Sequence, residues 1–259
     1  LAEQKRIVAK VDELMALCDR LEAQQQERET RHAALARASL ARFADVPTPA
    51  NLNFIFHPSY AIPPADLRKS ILTLAVQGKL VPQDPNDEPA EEWLQTLDKS
   101  SPSDEREYSE RPFSLPHGWI GLRVASVFEV AGGIQKTPLR TPRNNSFPYL
   151  GVGNVYRGRL DFTSVKEFEL EPGELERRRL RSGDLLIIEG NGSFNEIGRC
   201  AKWRGEIENC VHQNHVIRCR PSDVRICDFV PLFLNSPNGM EIMQRLAITS
   251  SGFYSLSVG

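Results

Sequence analysis

Asp184 and Glu189 enclose the aliphatic run Leu185-Leu186-Ile187-Ile188, so an acid stands at each end of a strand-like segment. Two such carboxylates could share a magnesium ion in a nuclease. The lysine that usually follows the glutamate by two positions is Asn191 here, and a strand with capping carboxylates accounts for the same residues. Cys200, Cys210, His212, His215 and Cys219 fall within twenty residues and could ligate zinc. They form no CxxC pair and match no common zinc spacing, so small core cysteines and a polar loop explain them better. Gly190-Asn191-Gly192-Ser193 could cradle a phosphate with backbone N–H groups, although it is not a GxxxxGK[ST] loop. No Ser/His/Asp or Cys/His set stands out, and the chain presents no convincing active site.

Other polar clusters suit a nucleic acid. Gly132-Gly133 opens a loop holding Gln135, Lys136, Arg140, Arg143, Asn144 and Asn145. Arg157 and Arg159 flank Gly158 at an expected hairpin turn. Asn191, Ser193 and Asn195 stand in a glycine-bounded loop, and Trp203-Arg204 and His212-Gln213-Asn214-His215 complete the set. Asn and Gln can pair bidentately with adenine, Arg with guanine, while nearby cations hold the backbone and set the register. The competing account is that these are the polar loops of any accessory domain, with Gln213 and Asn214 satisfying buried backbone groups.

The elements that must carry these loops differ between the two halves of the 259 residues. Residues 1–46 contain neither Pro nor Gly, and Ile7, Val11, Leu14, Cys18 and Leu21 recur at alternating spacings of four and three, the rhythm of a coiled-coil seam. A helix this long cannot bury the stripe on itself and needs a partner helix. Pro47 and Pro49 end it. Residues 47–112 read as a connector: irregular to Pro63-Pro64, then a second helix at about 65–77, a short one near 91–97, and a polar linker over 98–112. From Phe113 onward short β-type runs alternate with Gly, Asn and Pro, at Val124–Val130, Tyr149–Val152, Asp184–Glu189, Gly198–Trp203 and His215–Cys219, with helices near Phe229–Leu234 and Gly239–Leu246. The fold class expected is α+β: a long coiled-coil-forming helix followed by a mixed α/β domain over 113–259.

Composition narrows the function classes. Charged residues are 25% and hydrophobic ones 40%, so the chain is neither disordered nor fibrous. No apolar run approaches the ~18–20 residues that span a bilayer, so no membrane association is expected. Five cysteines without paired spacing favour a reduced, cytoplasmic chain. The net charge of −2 hides an asymmetry: residues 1–113 hold 14 basic and 19 acidic side chains, residues 114–259 hold 18 and 15, and 15 of those 18 are arginines. The second half is thus the basic one.

Several stretches, taken in order, resemble the specificity subunit of Type I restriction–modification systems. Leu1-Ala-Glu-Gln-Lys-Arg-Ile-Val-Ala-Lys-Val-Asp-Glu-Leu-Met15 resembles the start of that family's conserved spacer helix. Leu67-Arg-Lys-Ser-Ile-Leu72 and Gly78-Lys-Leu-Val-Pro-Gln-Asp-Pro-Asn-Asp-Glu-Pro-Ala90 resemble the conserved segment before a target-recognition domain, and Leu115-Pro-His-Gly-Trp119 the opening of that domain. Tyr149-Leu-Gly-Val-Gly-Asn-Val155, Gly183-Asp-Leu-Leu186, His212-Gln-Asn-His215 and Leu234-Asn-Ser-Pro237 resemble landmarks within it.

The resemblance implies a non-catalytic subunit in which 1–46 is a spacer helix and 113–259 a recognition domain reading half of a bipartite double-stranded DNA site. It implies docking to methyltransferase and restriction/translocase subunits, which hold the S-adenosylmethionine, ATP and magnesium, with no cofactor or metal in this chain. One recognition domain and one spacer helix suggest a fragment, or a half-subunit that self-associates through the helix. The expected DNA-facing residues are Gln135, Lys136, Arg140, Arg143, Arg157, Arg159, Asn191, Asn195, Arg204, Gln213 and Asn214, chosen from loop placement and residue chemistry. The alternatives are a helical scaffold with a protein-binding domain and a metal-dependent nuclease built on Asp184 and Glu189.

Overall fold

A computed structural model describes residues 2–58, 61–97, 114–250 and 253–257. The chain divides into two compact units, Leu1–Leu74 with Lys79–Val81, and Ala75–Gly78 with Pro82–Gly259. No helix among the described residues is long and apolar enough to cross a membrane.

In the first unit, α1 (Ala2–Asp45) runs unbroken for 44 residues, about 66 Å at 1.5 Å per residue. Its expected seam lies open: Ile7 is 56% exposed, Leu21 is 63% exposed, and Val11, Leu14 and Cys18 are exposed as well. The unit's core gathers at the far end, where Phe43, Ile55 and Leu74 are buried together against Ile62, Leu67 and Leu80. Part of the segment expected to be irregular is helical there. Thr48 caps α2 (Pro49–Ile55), its hydroxyl accepting from the Asn51 N–H at 3.4 Å, and Pro49 occupies the first turn, where a missing N–H costs nothing. Asn51 locks the corner by donating to the Val46 carbonyl at 2.7 Å and accepting from Arg42 at 3.2 Å. The second expected helix is α3 (Pro64–Val76).

The second unit starts earlier than the composition break at residue 113. The helix α4 (Ala90–Thr96) packs Trp93 and Leu94 on the core that holds Phe128 and Leu185, and the Trp93 indole donates to Asp223 at 3.0 Å. The expected linker over 98–112 lies outside the described residues. Val124–Val127 form one helical turn (α5) rather than the start of a strand, because the partner strand stops pairing at Phe128↔Pro221. The elements that follow are β1 (Phe128–Ala131), β2 (Ser146–Leu150), β3 (Val155–Tyr156), β4 (Arg159–Leu160), β5 (Lys166–Glu169) and α6 (Glu174–Arg178), then β6 (Leu185–Ile188), β7 (Gly190–Asn191), β8 (Cys200–Lys202), β9 (Val211–His212) and β10 (Val216–Pro221). The chain closes with α7 (Phe229–Asn235), α8 (Pro237–Leu246), β11 (Ile248–Ser250) and β12 (Phe253–Ser255). The main sheet is antiparallel, in the order β1-β10-β6-β8. A second sheet, β5-β2-β9, joins β2 and β9 in parallel; β11-β12-β7 and the hairpin β3-β4 complete the set. The fold is α+β, as the residue patterns indicated.

Every residue of β6 is buried because both of its faces are covered. Leu185 and Ile187 point into a core shared with Val127, Phe128, Leu234 and Met243, while Leu186 and Ile188 point into another with Leu150, Val155, Trp203 and Val216. A continuous apolar run is what such a doubly covered strand requires. At its start, Asp184 is fully buried and accepts two hydrogen bonds from Arg220, both at 2.8 Å, and one from the Arg181 N–H at 2.7 Å. Removing one partner of a buried pair leaves the other charge uncompensated, so Asp184→Ala should destabilise the unit by about 3–5 kcal/mol. Denaturant unfolding of the full chain measures this, and a change within experimental error would show that Arg220 finds another partner.

Candidate nucleic-acid interface

The second unit's cations divide by what their side chains touch. Arg140 forks onto Glu174, at 2.5 and 3.0 Å, and also donates to the Glu169 carbonyl at 3.2 Å. Burial alone would push the Glu174 carboxyl up, but the Arg140 contact holds it below the usual range. Arg157 donates to the Asn195 carbonyl at 2.5 Å, and burial lowers its pKa against the pull of Glu196. Arg218 is buried against Glu129, and Arg199 bonds Glu196 at 2.9 Å and the Val152 carbonyl at 2.6 Å. These arginines brace the fold. Of the residues expected to face DNA, Arg140 and Arg157 therefore have their guanidinium groups engaged within the chain.

Other cations stand free. Lys136, Lys166 and Arg159 are exposed and make no ion pair with any described residue; Arg159 lies 4.2 Å over the Tyr156 ring. Lys136 and Lys166 line one cavity of about 380 Å³ together with Gln213, Asp161, Asn154 and Tyr149. The backbone explains how these residues meet. Tyr149 in β2 pairs with Lys166 in β5 on one side and with Val211 in β9 on the other. Beyond β9, the Gln213 N–H donates to the Leu150 carbonyl and the Asn214 N–H to the Ile134 carbonyl, each at 2.9 Å, which draws the loop carrying Gln135 and Lys136 alongside. Gly133 is required for that approach, since a Cβ there would lie 2.2 Å from the Gln213 carbonyl oxygen. Asn154 ties the opposite wall, accepting from the Gly151 N–H at 2.9 Å and donating to the carbonyls of Asp161 and Ser164. Two hydrogen bonds from Thr163, with Arg159 alongside, hold the Asp161 carboxyl below its ordinary range.

The remaining candidates fall around this cavity or away from it. Gln135 is exposed next to Lys136. Arg143 is exposed on a loop fixed by Glu169, whose carboxylate accepts from the backbone N–H groups of Arg143 at 2.8 Å and Asn145 at 2.9 Å. Asn195 is exposed on the loop that Arg157 braces. Asn214 is half-buried, with its amide 3.5 Å from the His215 ring. Asn191 is held in β7 opposite Tyr254, and its side chain lies outside the described residues. Arg204 does not join the others. It follows β8 at the Leu185↔Lys202 end of the main sheet, whereas Gln213 precedes the opposite end, at Val216↔Ile188. Lys166, Asp161 and Asn154 line the cavity without standing in any of the polar clusters expected to face DNA. Only the register Tyr149↔Lys166 brings Lys166 to the site, and the sequence signal was no more than its nearness to the Tyr149–Val155 landmark.

The catalytic alternatives separate in space. Asp184 and Glu189 sit at opposite ends of β6, roughly 16 Å apart along an extended chain, and Asp184 is consumed by Arg220. Cys200 and Cys219 face one core and Cys210 the other, with burial pushing Cys210 and Cys219 up to about 12. Among the described residues no three His, Cys, Asp or Glu side chains converge as metal ligands would.

No family model matches the chain. Over 225 residues it is 34% identical to the Type I restriction enzyme EcoEI specificity subunit of Escherichia coli, an alignment spanning 76% of this chain and 37% of that protein. The chain is similar to Type I restriction specificity subunits. The EcoAI specificity subunit of Escherichia coli is 33% identical over 157 residues, 51% of this chain and 26% of that protein. The EcoKI specificity subunit of Escherichia coli strain K12 is 24% identical over 255 residues, 97% of this chain and 42% of that protein. The chain therefore spans well under half the length of the specificity subunits it matches. A crystal structure of a Type I restriction–modification S subunit from M. genitalium superposes with a TM-score of 0.29 at 12% identity, over 52% of this chain and 30% of that one.

In the stretch resembling the specificity-subunit landmark His212-Gln-Asn-His215, the first histidine is structural. His212 is fully buried, and its Nδ1 lies 2.7 Å from the Val216 carbonyl, so that nitrogen carries the hydrogen. Burial lowers its pKa to about 4. The unfolded chain takes up a proton near pH 6.5 that the folded chain refuses until about pH 4, so stability is present above pH 6.5 and is lost as pH falls through this window. The loss should approach roughly 3 kcal/mol. Urea unfolding of the full chain between pH 7 and pH 4 measures it, and the His212→Gln variant should lose less stability over the same interval.

Proposed function

We propose that this chain is a DNA sequence-recognition component of a Type I restriction–modification complex: its second unit reads one half of a bipartite double-stranded target, and the chain itself catalyses nothing. The observation that carries this reading is the gathering of two cations without an ion pair among the described residues, Lys136 and Lys166, with the amide of Gln213 around one cavity, in a chain similar to specificity subunits. Phosphate contacts and base-edge contacts need these two kinds of group side by side. In this reading α1 is the spacer. Its exposed stripe at Ile7, Val11, Leu14, Cys18 and Leu21 takes an antiparallel helix, supplied by a second copy or by a further conserved helix of the same subunit. Methyltransferase and restriction/translocase subunits dock on this frame and bring S-adenosylmethionine, ATP and magnesium, which places the complex in the cytoplasm with the DNA.

Affinity of the full chain for duplex DNA should fall steeply between 50 and 200 mM salt. Lys136→Ala and Lys166→Ala should each flatten the logarithmic salt slope by about one. Arg140→Ala should instead lower the melting temperature with the slope kept, and Arg204→Ala should leave both near wild type. Fluorescence anisotropy with labelled duplexes measures this; absent or salt-independent binding by the wild-type chain would overturn the assignment. If the seam pairs with a second copy, sedimentation at rising concentration should show dimers that Leu14→Asp abolishes.

A further inference from the structure

Gln213 is held as a reading head would be. Its backbone is fixed by the Leu150 and Ile134 contacts, and its N–H and carbonyl are both used, the carbonyl accepting from Val216 at 2.9 Å. Its side-chain amide, by contrast, makes no hydrogen bond among the described residues and lines the cavity. The backbone part of the residue's ordering cost is thus met before binding, while the side-chain amide stays available. Two glycines make room for it: Gly133 under its carbonyl, and Gly151, where a Cβ would lie 2.8 Å from the Gln213 Oε1.

The other lining groups indicate what the amide meets. A site for phosphate alone would present donors and cations. This cavity also carries the Asp161 carboxylate beside Lys136 and Lys166, while the Asn154 amide is used up in its wall. Donors and acceptors in close alternation suit a base edge, where an amino hydrogen and a ring nitrogen or carbonyl lie next to each other. We infer that Gln213 is the base-reading residue of this cavity, that it takes the major-groove edge of a single base pair, and that Lys136 and Lys166 grip the flanking backbone. Adenine is the base whose N6–H and N7 match the acceptor and donor of one amide. This rests on the DNA-recognition reading above and adds to it a position, a residue and a base.

The test is selection of bound sequences by the full chain from duplexes with a randomised core, run for the wild type, Gln213→Ala, Gln213→Glu and Gly151→Ala. The glycine variant is informative because its added methyl meets the Gln213 tip at 2.8 Å and nothing else closer than 3.7 Å, so it moves the amide and leaves the fold alone. All three variants should lose preference, by roughly 5- to 150-fold, at the same single position of the selected motif, with the other positions kept. Lys136→Ala and Lys166→Ala should weaken binding uniformly across sequences. A wild-type motif that survives unchanged in Gln213→Ala and Gly151→Ala would overturn the inference while leaving DNA recognition standing. A wild-type chain that binds duplex DNA with no selected position would overturn it as well, and one that binds no DNA would remove both.

Discussion

The second unit is organised around a strand that must be covered on both faces. β6 sends alternate residues into two separate cores, and both depend on its register with β10 and β8. The Asp184–Arg220 pair pins that register at one end. A buried carboxylate is costly unless its lone pairs are filled, and here two guanidinium N–H groups and a backbone N–H fill them. A slip of one residue would turn Leu186 and Ile188 toward the wrong core and strand Asp184 without its partner. The loops at the other end of the sheet, including the Gln213 segment, inherit their positions from this alignment.

The Arg-rich composition of this half takes on a different meaning once its contacts are seen. Arginine's planar fork suits base edges and phosphates, but it suits internal carboxylates and carbonyls equally well. Arg140, Arg199, Arg218 and Arg220 are spent in that way, closing loops onto strands with bonds of 2.5 to 3.2 Å. The lysines at the cavity, with strongly hydrated heads on flexible stems, remain available to solvent and to a polyanion. The excess of +3 in residues 114–259 is therefore a poor measure of the surface a duplex would meet; what counts is which charges the fold leaves unpaired.

The first unit poses the complementary problem. Among the described residues, no other part of its unit covers the α1 seam, because the core found there lies around Phe43, Ile55 and Leu74. An isolated amphipathic helix gains little from its apolar stripe until another helix buries it. Over a length near 66 Å, such a stripe stays exposed unless another helix lies against it.

Periodicity and composition by themselves determined the long helix, the α+β class, the positions of β6, β8, β10, α7 and α8, and the polar loops from which a DNA surface could be drawn. Those features follow from local rules: spacing of apolar residues, and the punctuation of Gly, Pro and Asn. The family resemblance rested on the same linear landmarks, and the relatives found agree with it. Only the tertiary structure decided which loop residues share a site. Arg140 left the surface for Glu174, Arg204 fell at the far end of the main sheet, and Lys166 arrived through its pairing with Tyr149. The reason is that a side chain's availability is set by what lies across the ladder from it, and ladder partners such as Tyr149 and Val211 are sixty-two residues apart in the chain. Nothing in the local order of residues records that distance being closed.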